Sequence, residues 1–123
     1  PSSAASDVYK RQVLEQAKKL SENLPIIVTG DFNAVPSDEP IQVLTNPSDP
    51  RHLTHSRTIA GFIYGPEWTF HDFGKIPYDK REWIDYIFVK GNIKVLRHGV
   101  LTETLNNLFP SDHCPVISTL ILE

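Results

Sequence analysis

Residues 25–33 read Pro-Ile-Ile-Val-Thr-Gly-Asp-Phe-Asn, a β-branched run enclosed by a proline and a glycine. Such a run favours extended backbone, and its short length between turn residues is typical of a buried strand. Asp31 and Asn33 follow at the carboxyl end of the strand, where α/β sheets collect ligands and catalytic groups. In extended backbone these two side chains face the same side. The stretch therefore predicts a strand with functional groups at its end, with an ordinary turn as the alternative.

Helices are predicted on both sides of this strand. Apolar residues recur at helical spacing over about residues 12–23, which predicts an amphipathic helix that ends before Pro25. Residues 37–40 (Ser-Asp-Glu-Pro) are typical of a helix start, with Ser37 or Asp38 as the N-cap. We expect this second helix to end at about Leu44.

The rest of the chain is predicted to be a long loop followed by three strands. Residues 46–82 are rich in Pro, Gly, His and charged residues, so most of this segment should be loop. Residues 83–89 and 93–101 are apolar runs around the turn at 91–92, a pattern typical of a hairpin. Residues 115–122 form the last strand. This order of elements predicts an α/β fold with a sheet that is at least partly antiparallel.

Composition excludes several classes of protein. The chain has 123 residues, of which 40% are hydrophobic and 22% charged, so wholesale disorder is excluded. It contains no run of about 18 apolar residues, so this segment holds no membrane span. The net charge of -3 argues against binding nucleic acid by broad phosphate neutralisation, and an acidic chain that handles phosphate needs metal ions to offset repulsion.

The start of the chain indicates a piece of a longer protein. No methionine is present, and residues 6–12 (Ser-Asp-Val-Tyr-Lys-Arg-Gln) resemble translated adapter sequence. We therefore expect residues 1–12 to be a non-native or unstructured leader and the fold to begin at about residue 13. Nothing in this segment indicates a localisation.

Two further polar sites stand at strand ends. Asp85 lies within an apolar run, and a lone buried carboxylate costs several kcal/mol, so it should be paired or exposed to water. Asp112 and His113 come just before the last strand. Taken singly, each of these residues has a structural explanation, such as an edge-strand charge, a cap or a core histidine. Their shared position at strand ends, in one order, indicates a functional site.

Three motifs carry a family resemblance: residues 30–33 (Gly-Asp-Phe-Asn), 84–88 (Ile-Asp-Tyr-Ile-Phe) and 111–116 (Ser-Asp-His-Cys-Pro-Val). In this order and spacing they resemble the endonuclease/exonuclease/phosphatase superfamily of deoxyribonuclease I-like metal-dependent phosphoesterases. The resemblance covers about residues 13–123 and implies the carboxyl-terminal half of a two-sheet α/β sandwich with mostly antiparallel strands. The family domain is about twice this length, so we expect the strands here to supply roughly one sheet, with its inner face uncovered.

The resemblance implies a role for each matching residue. Asp31 matches the carboxylate that orients and deprotonates the attacking water, and Asn33 matches the amide that stabilises the transition state. His113 matches the histidine that bonds the scissile phosphate, and Asp85 matches its carboxylate partner, which favours the charged imidazolium. Asp112 matches an acidic residue at or near the metal, which is Mg²⁺ with Mn²⁺ as the alternative.

The implied activity is metal-dependent hydrolysis of phosphodiesters or phosphomonoesters by in-line water attack. The substrate stays open between nucleic acid, a sugar phosphate and a lipid head group, since the loop over residues 46–82 mixes basic and aromatic residues. His71 in this loop is a candidate substrate contact, with Thr69 beside it. The family's principal metal-binding Glu lies in the amino-terminal half and has no counterpart before Asp31. The chain alone is therefore expected to be inactive, and the alternative is a non-catalytic half-domain remnant or interaction module.

Two other interpretations use the histidines and the cysteine differently. His52 and His55 form an H-x-x-H pair, but zinc needs three or four ligands and the spacing is not that of a helical pair. Cys114 permits no internal disulfide and has only His113 nearby as a base for a thiol nucleophile. The phosphoesterase interpretation uses the same residues better.

Overall fold

The structure, a computed structural model, describes residues 3–21 and 23–123. Within these residues lie three α-helices and one short 3₁₀ helix at Tyr78–Lys80. Helix α1 spans Ser3–Ser21, α2 spans Glu39–Thr45 and the single-turn α3 spans Ser56–Ile59. Helix α1 thus begins earlier than the predicted residue 12, and the end predicted at residue 23 falls beyond Glu22, which lies outside the described residues. Residues 3–12 are helical, and whether they are native sequence stays a prediction.

The second helix follows the sequence signals closely. Helix α2 has Asp38 as its N-cap and Pro40 in its first turn, as the spacing predicted. The side chain of Asp38 accepts a hydrogen bond from the Val35 N–H at 2.9 Å, which closes the turn before the helix. None of the helices among the described residues has the length and apolarity that crossing a membrane requires.

Six strands in the described residues form two separate sheets of three strands each. In chain order they are β1 (Ile26–Asp31), β2 (Thr54–His55), β3 (Phe62–Tyr64), β4 (Asp85–Lys90), β5 (Ile93–Val100) and β6 (Val116–Leu122). The first sheet has the order β1-β4-β2 and is antiparallel throughout. The second has the order β3-β5-β6, in which β3 runs parallel and β6 antiparallel to β5. This confirms the predicted class, an α/β fold with two mostly antiparallel sheets.

The predicted hairpin between β4 and β5 is wrong. The bend at Gly91 and Asn92 is present, but β4 pairs with β1 and β2, whereas β5 pairs with β3 and β6. The chain leaves one sheet and enters the other at this bend. Gly91 has a φ of 96°, and a Cβ there would lie 3.2 Å from the Pro25 Cα, so the bend favours glycine. The expectation of roughly one sheet is wrong for the same reason, because the chain supplies strands to both.

The core holds the end of β1 against β4. Tyr86 and Phe88 alternate along β4 and are buried on its inner face. The Tyr86 hydroxyl donates to the Ala34 carbonyl at 2.7 Å, so this buried polar group is satisfied. The Phe32 N–H donates to the Ile84 carbonyl at 2.9 Å. These bonds fix the backbone that follows β1 beside the start of β4.

Candidate active site

Two carboxylates meet where β1 ends and β4 begins. Asp31 is the last residue of β1, Asp85 is the first residue of β4, and the two are direct partners in the antiparallel ladder. Partners in such a ladder project their side chains from the same face of the sheet. Their side chains are 48% and 19% exposed, respectively. The strand pairing alone therefore brings both carboxylates to one edge of the sheet.

His113 joins these carboxylates from the segment before β6. Its Nδ1 lies 2.7 Å from Asp85 Oδ2, a hydrogen-bond distance, and its Nε2 lies 3.8 Å from Asp31 Oδ2. Burial lowers the pKa of His113, but the hydrogen bond to Asp85 and the charges of the nearby carboxylates outweigh burial and raise the pKa above its ordinary value. The imidazole therefore favours its charged form, which can donate from Nε2 to an anion.

Asn33 lies in a tight turn after β1. Its backbone N–H donates to Asp31 Oδ1 at 2.8 Å, and its φ of 49° is left-handed, a conformation that Asn tolerates. The backbone is thus not extended at Asn33, contrary to the extended segment predicted from the sequence. This hydrogen bond engages Oδ1 of the Asp31 carboxylate, whereas Oδ2 faces His113.

These groups surround an open cleft of about 520 Å³. The Phe70 ring packs against the His113 ring at a centroid distance of 4.9 Å, which limits rotation of the imidazole. The structure brings the four residues predicted to be catalytic together, with Asp85 held behind His113. The cleft is lined by Asp31, Asn33, Ala34, Val35, Asp38, Phe70, Glu82, Ile84 and His113.

Thr69 positions the backbone on both sides of the cleft. Its Oγ1 accepts hydrogen bonds from the N–H groups of Ile84 at 3.0 Å and Asp85 at 3.2 Å, and its side chain is fully buried. Its carbonyl accepts a hydrogen bond from the Cys114 N–H at 2.7 Å. One threonine therefore fixes the segments that carry Asp85 and His113. The sequence suggested Thr69 only as a substrate contact beside His71, and the burial of its side chain excludes that role.

His71 is not brought to the cleft. Its side chain is 1% exposed, and its ring packs on Phe109 at a centroid distance of 4.2 Å. Its Nδ1 accepts a hydrogen bond from the Gly74 N–H at 3.0 Å, and burial, aided by the Arg81 charge, lowers the pKa of His71. The neutral ring thus holds the loop at residues 72–74 in place. The substrate contact predicted at His71 is not supported, since the ring has no open face toward the cleft.

Asp112 lies beside the cluster and stabilises the neighbouring loop. Its Oδ1 accepts a hydrogen bond from Ser111 Oγ at 3.3 Å. Its carbonyl accepts hydrogen bonds from the N–H groups of His71 at 3.1 Å and Asp72 at 3.2 Å. Its charge also contributes to raising the pKa of His113. The side chain is thus close enough to act electrostatically on the site, and its role as a metal ligand stays a prediction.

The donor set suits a hard cation bound through few protein ligands. Ligand atoms of Asp31, Asp85 and His113 all lie within 4.8 Å of one another. The hydrogen bond between His113 and Asp85 occupies two of these atoms, so we regard those two residues as a pair and not as ligands. The carboxylate of Asp31 remains, and Mg²⁺ is bound in proteins by one or two carboxylates and several waters. The cluster therefore offers part of the oxygen ligation that a divalent metal ion would need.

The zinc and thiol alternatives find no support. Cys114 is 4% exposed and burial raises its pKa, which disfavours the thiolate that a nucleophile needs. His52 Nδ1 lies 2.7 Å from the Asp49 carbonyl, and His55 is buried beside Trp83. Within residues 3–21 and 23–123, neither histidine belongs to a group of three or more metal-ligating side chains.

Comparisons with known proteins agree with the family resemblance. The model of the Endonuclease/Exonuclease/phosphatase family matches residues 2–113, and a comparison with curated proteins found no match. A solved endonuclease/exonuclease/phosphatase from Bacteroides vulgatus is 29% identical with a TM-score of 0.89, over 98% of this chain and 45% of its own. A family protein from Bacteroides thetaiotaomicron is 30% identical with a TM-score of 0.86, over 99% of this chain and 47% of its own.

A third solved structure carries a named activity. The mannosyl-6-phosphatase Bt3783 of Bacteroides thetaiotaomicron VPI-5482 is 29% identical with a TM-score of 0.84, over 98% of this chain and 47% of its own. The chain thus spans slightly less than half the length of these three structures. With its three motifs assembled at one cleft and the family model matching most of its length, the chain belongs to the endonuclease/exonuclease/phosphatase family.

Proposed function

We propose that this chain is part of a metal-dependent phosphoesterase. The observation that carries the proposal is the pair of His113 and Asp85 at 2.7 Å, placed beside Asp31 in an open cleft. Family membership and the phosphatase neighbour support hydrolysis of phosphate esters in general. Because the chain spans less than half the length of its solved relatives, the proposal concerns the activity of the complete protein.

The side chains of this chain have separate roles in the reaction at the phosphorus atom. Asp31 orients and deprotonates the attacking water through Oδ2, because Oδ1 is held by the Asn33 N–H. His113 donates one hydrogen bond from Nδ1 to Asp85 and one from Nε2 to a phosphate oxygen, and the Asn33 amide donates a hydrogen bond to another phosphate oxygen. Holding these groups around one cleft favours in-line attack by the water. Asp112 would hold part of a bound Mg²⁺ or Mn²⁺, and that ion would supply positive charge to offset the charge of the phosphate.

Phosphomonoester hydrolysis is the first activity to test. A structure of the same fold at 29% identity is named a mannosyl-6-phosphatase. The panel comprises a hexose 6-phosphate, p-nitrophenyl phosphate, a single-stranded oligonucleotide and a phospholipid vesicle, each in Mg²⁺, Mn²⁺ and EDTA. We expect the complete protein to hydrolyse at least one of them with metal and to lose that activity in EDTA. Full turnover after exhaustive EDTA treatment would contradict metal dependence.

The same assay distinguishes the phosphoesterase from the alternative, a non-catalytic half-domain. This alternative predicts no hydrolysis of any substrate by the complete protein. We further expect residues 1–123 alone to be inactive and poorly soluble, since Ile27 on β1 and Ile117 and Ile121 on β6 are more than 40% exposed apolar side chains on strands. Adding the amino-terminal half in trans should restore both properties. Metal-dependent turnover by a monodisperse fragment on its own would show that the site is complete within these residues.

A further inference from the structure

We infer that a groove beside the active-site cleft selects a neutral leaving group rich in hydroxyls, the chemistry of a sugar phosphate; the inference rests on the proposed phosphoesterase function. The groove has a volume of about 450 Å³, within the range of small-molecule sites. Val35 and Glu82 line both the groove and the cleft, so the two spaces adjoin. We call this space, formed by Arg57, Glu67, Arg81, Glu82 and Trp83, the leaving-group groove.

Glu82 stands where the cleft and the leaving-group groove meet. Its carbonyl accepts the N–H groups of Thr69 at 3.0 Å and Phe70 at 3.1 Å, so its backbone is fixed. Its side chain is exposed, and no hydrogen bond or ion pair within the described part of the chain engages its carboxylate. The groove therefore presents a free hydrogen-bond acceptor at its entrance.

Arg57 provides donors from the wall of the groove. Its guanidinium lies 5.0 Å from the centroid of the Trp83 ring, and its side chain is only 19% exposed. Its Nη2 lies 3.3 Å from Oε1 of Glu67, whose side chain is 88% exposed. An ion pair with so exposed a partner contributes little free energy. A ligand can therefore displace this ion pair, which makes the Arg57 guanidinium available as a donor and the Glu67 carboxylate available as an acceptor.

Arg81 is held in a fixed orientation at the same groove. Its guanidinium lies 4.4 Å from the centroid of Trp68 and 5.0 Å from that of Tyr78. Its Nε donates to the Ile76 carbonyl at 2.9 Å. These contacts fix the guanidinium plane, and no hydrogen bond among residues 3–21 and 23–123 uses its Nη atoms. Fixed donors lose little conformational entropy on binding a ligand.

The balance of charge decides which ligand suits the groove. Two guanidinium groups and two carboxylates line it, so a second anion gains no net attraction and meets Glu82 at the entrance. A hydroxyl both donates and accepts, so neighbouring hydroxyls can pair with a carboxylate and a guanidinium together. A nucleic-acid strand would bring further phosphates past Glu67 and Glu82. The groove is therefore matched to a polyol and not to a polyanion.

The kinetic test compares Glu82→Gln with Glu123→Gln, a matched charge change just beyond β6 and outside both spaces. The complete protein is assayed in Mg²⁺ with glucose 6-phosphate and with p-nitrophenyl phosphate, whose leaving group has no neighbouring hydroxyls. We expect the ratio of kcat/KM for the two substrates to fall about tenfold or more in Glu82→Gln, as loss of a charged hydrogen bond implies. The ratio should stay within about twofold in Glu123→Gln. An unchanged ratio in Glu82→Gln overturns the inference.

A binding measurement separates the groove from the chemistry. Calorimetric titration of the complete protein with glucose 6-phosphate, fructose 1,6-bisphosphate and inorganic phosphate should show the hexose monophosphate binding best, and Glu82→Gln should weaken only that ligand. Tighter binding of the bisphosphate that improves in Glu82→Gln would overturn the inference in favour of a second anion site. Hydrolysis without sugar preference refutes the groove alone. Sugar-phosphate binding without any hydrolysis refutes the catalytic proposal alone.

Discussion

His113 and Asp85 are joined by a 2.7 Å hydrogen bond between Nδ1 and Oδ2 that links the start of β4 to the segment before β6. Asp85 opens β4 in the first sheet, and His113 precedes β6 in the second. In this bond the Nδ1 proton of His113 faces the Asp85 carboxylate, and Nε2 faces the cleft. The orientation of the imidazole therefore depends on how the two sheets sit against each other.

Asp31→Asn should lower kcat of the complete protein by a factor on the order of 10² or more, because an amide cannot accept the proton of the attacking water. The amide oxygen can still accept the Asn33 N–H, so we expect little change in the free energy of unfolding. Steady-state assays in Mg²⁺ and denaturant unfolding measure the two quantities. A kcat within about threefold of wild type would exclude Asp31 as the base.

His113→Ala should also lower kcat by a factor on the order of 10² or more. Asp85→Asn acts through the same imidazole, so the double variant should be hardly worse than His113→Ala. The measurement is a double-mutant cycle on kcat. Losses that multiply would show that Asp85 acts on the reaction by another route.

Thr69→Val should lower the free energy of unfolding by about 1–3 kcal/mol, because two buried N–H groups lose their shared acceptor while the side-chain shape is kept. We also expect kcat to fall, since the start of β4 carries Asp85. Thr69→Ser keeps the hydroxyl and is the control. Equal stability of Thr69→Val and wild type in urea unfolding would contradict the positioning role.

Stability should decrease on acidification through two buried histidines. His55 and His98 pack at a ring distance of 5.6 Å, and burial, with the charge of Arg57, lowers the pKa of each to about 4. Unfolded, they titrate near 6.5. Their contribution is therefore complete above pH 6.5 and is lost as the pH falls toward 4, at up to about 1.4 kcal/mol per pH unit for each histidine.

Urea unfolding at several pH values between 7 and 4 measures this loss. His98→Phe removes one titrating group and should show a shallower dependence than wild type, whatever its absolute stability. A pH dependence of His98→Phe as steep as that of wild type would contradict the neutral, buried state of His98.

Local sequence patterns predicted where the helices and strands lie better than they predicted which strands pair with each other. The strand Ile26–Asp31 was predictable because its β-branched residues favour extended backbone by themselves and Pro25 precedes it. The pairing of β4 was not, because a tight bend at Gly91 serves a hairpin and a crossing between sheets equally well. Which strands pair depends on contacts between residues far apart in the chain.

The site divides in the same way. Residues at strand ends, such as Asp31 and His113, were predicted to lie together because their motifs follow one another in a specific order. The roles of Thr69 and His71 depend on burial, and a loop rich in Pro and Gly has no periodicity from which burial can be inferred. Only the folded chain shows that one anchors the backbone and the other packs beneath Phe109.

The ladder partnership of Asp31 and Asp85 ties chemistry to the alignment of two strands. A slip of one residue between β1 and β4 would turn one of the carboxylates to the opposite face while preserving most of the hydrogen bonding. Such molecules would have a normal circular dichroism spectrum and no working site. The specific activity of a refolded preparation therefore counts correctly aligned molecules, a quantity that bulk measures of secondary structure do not resolve.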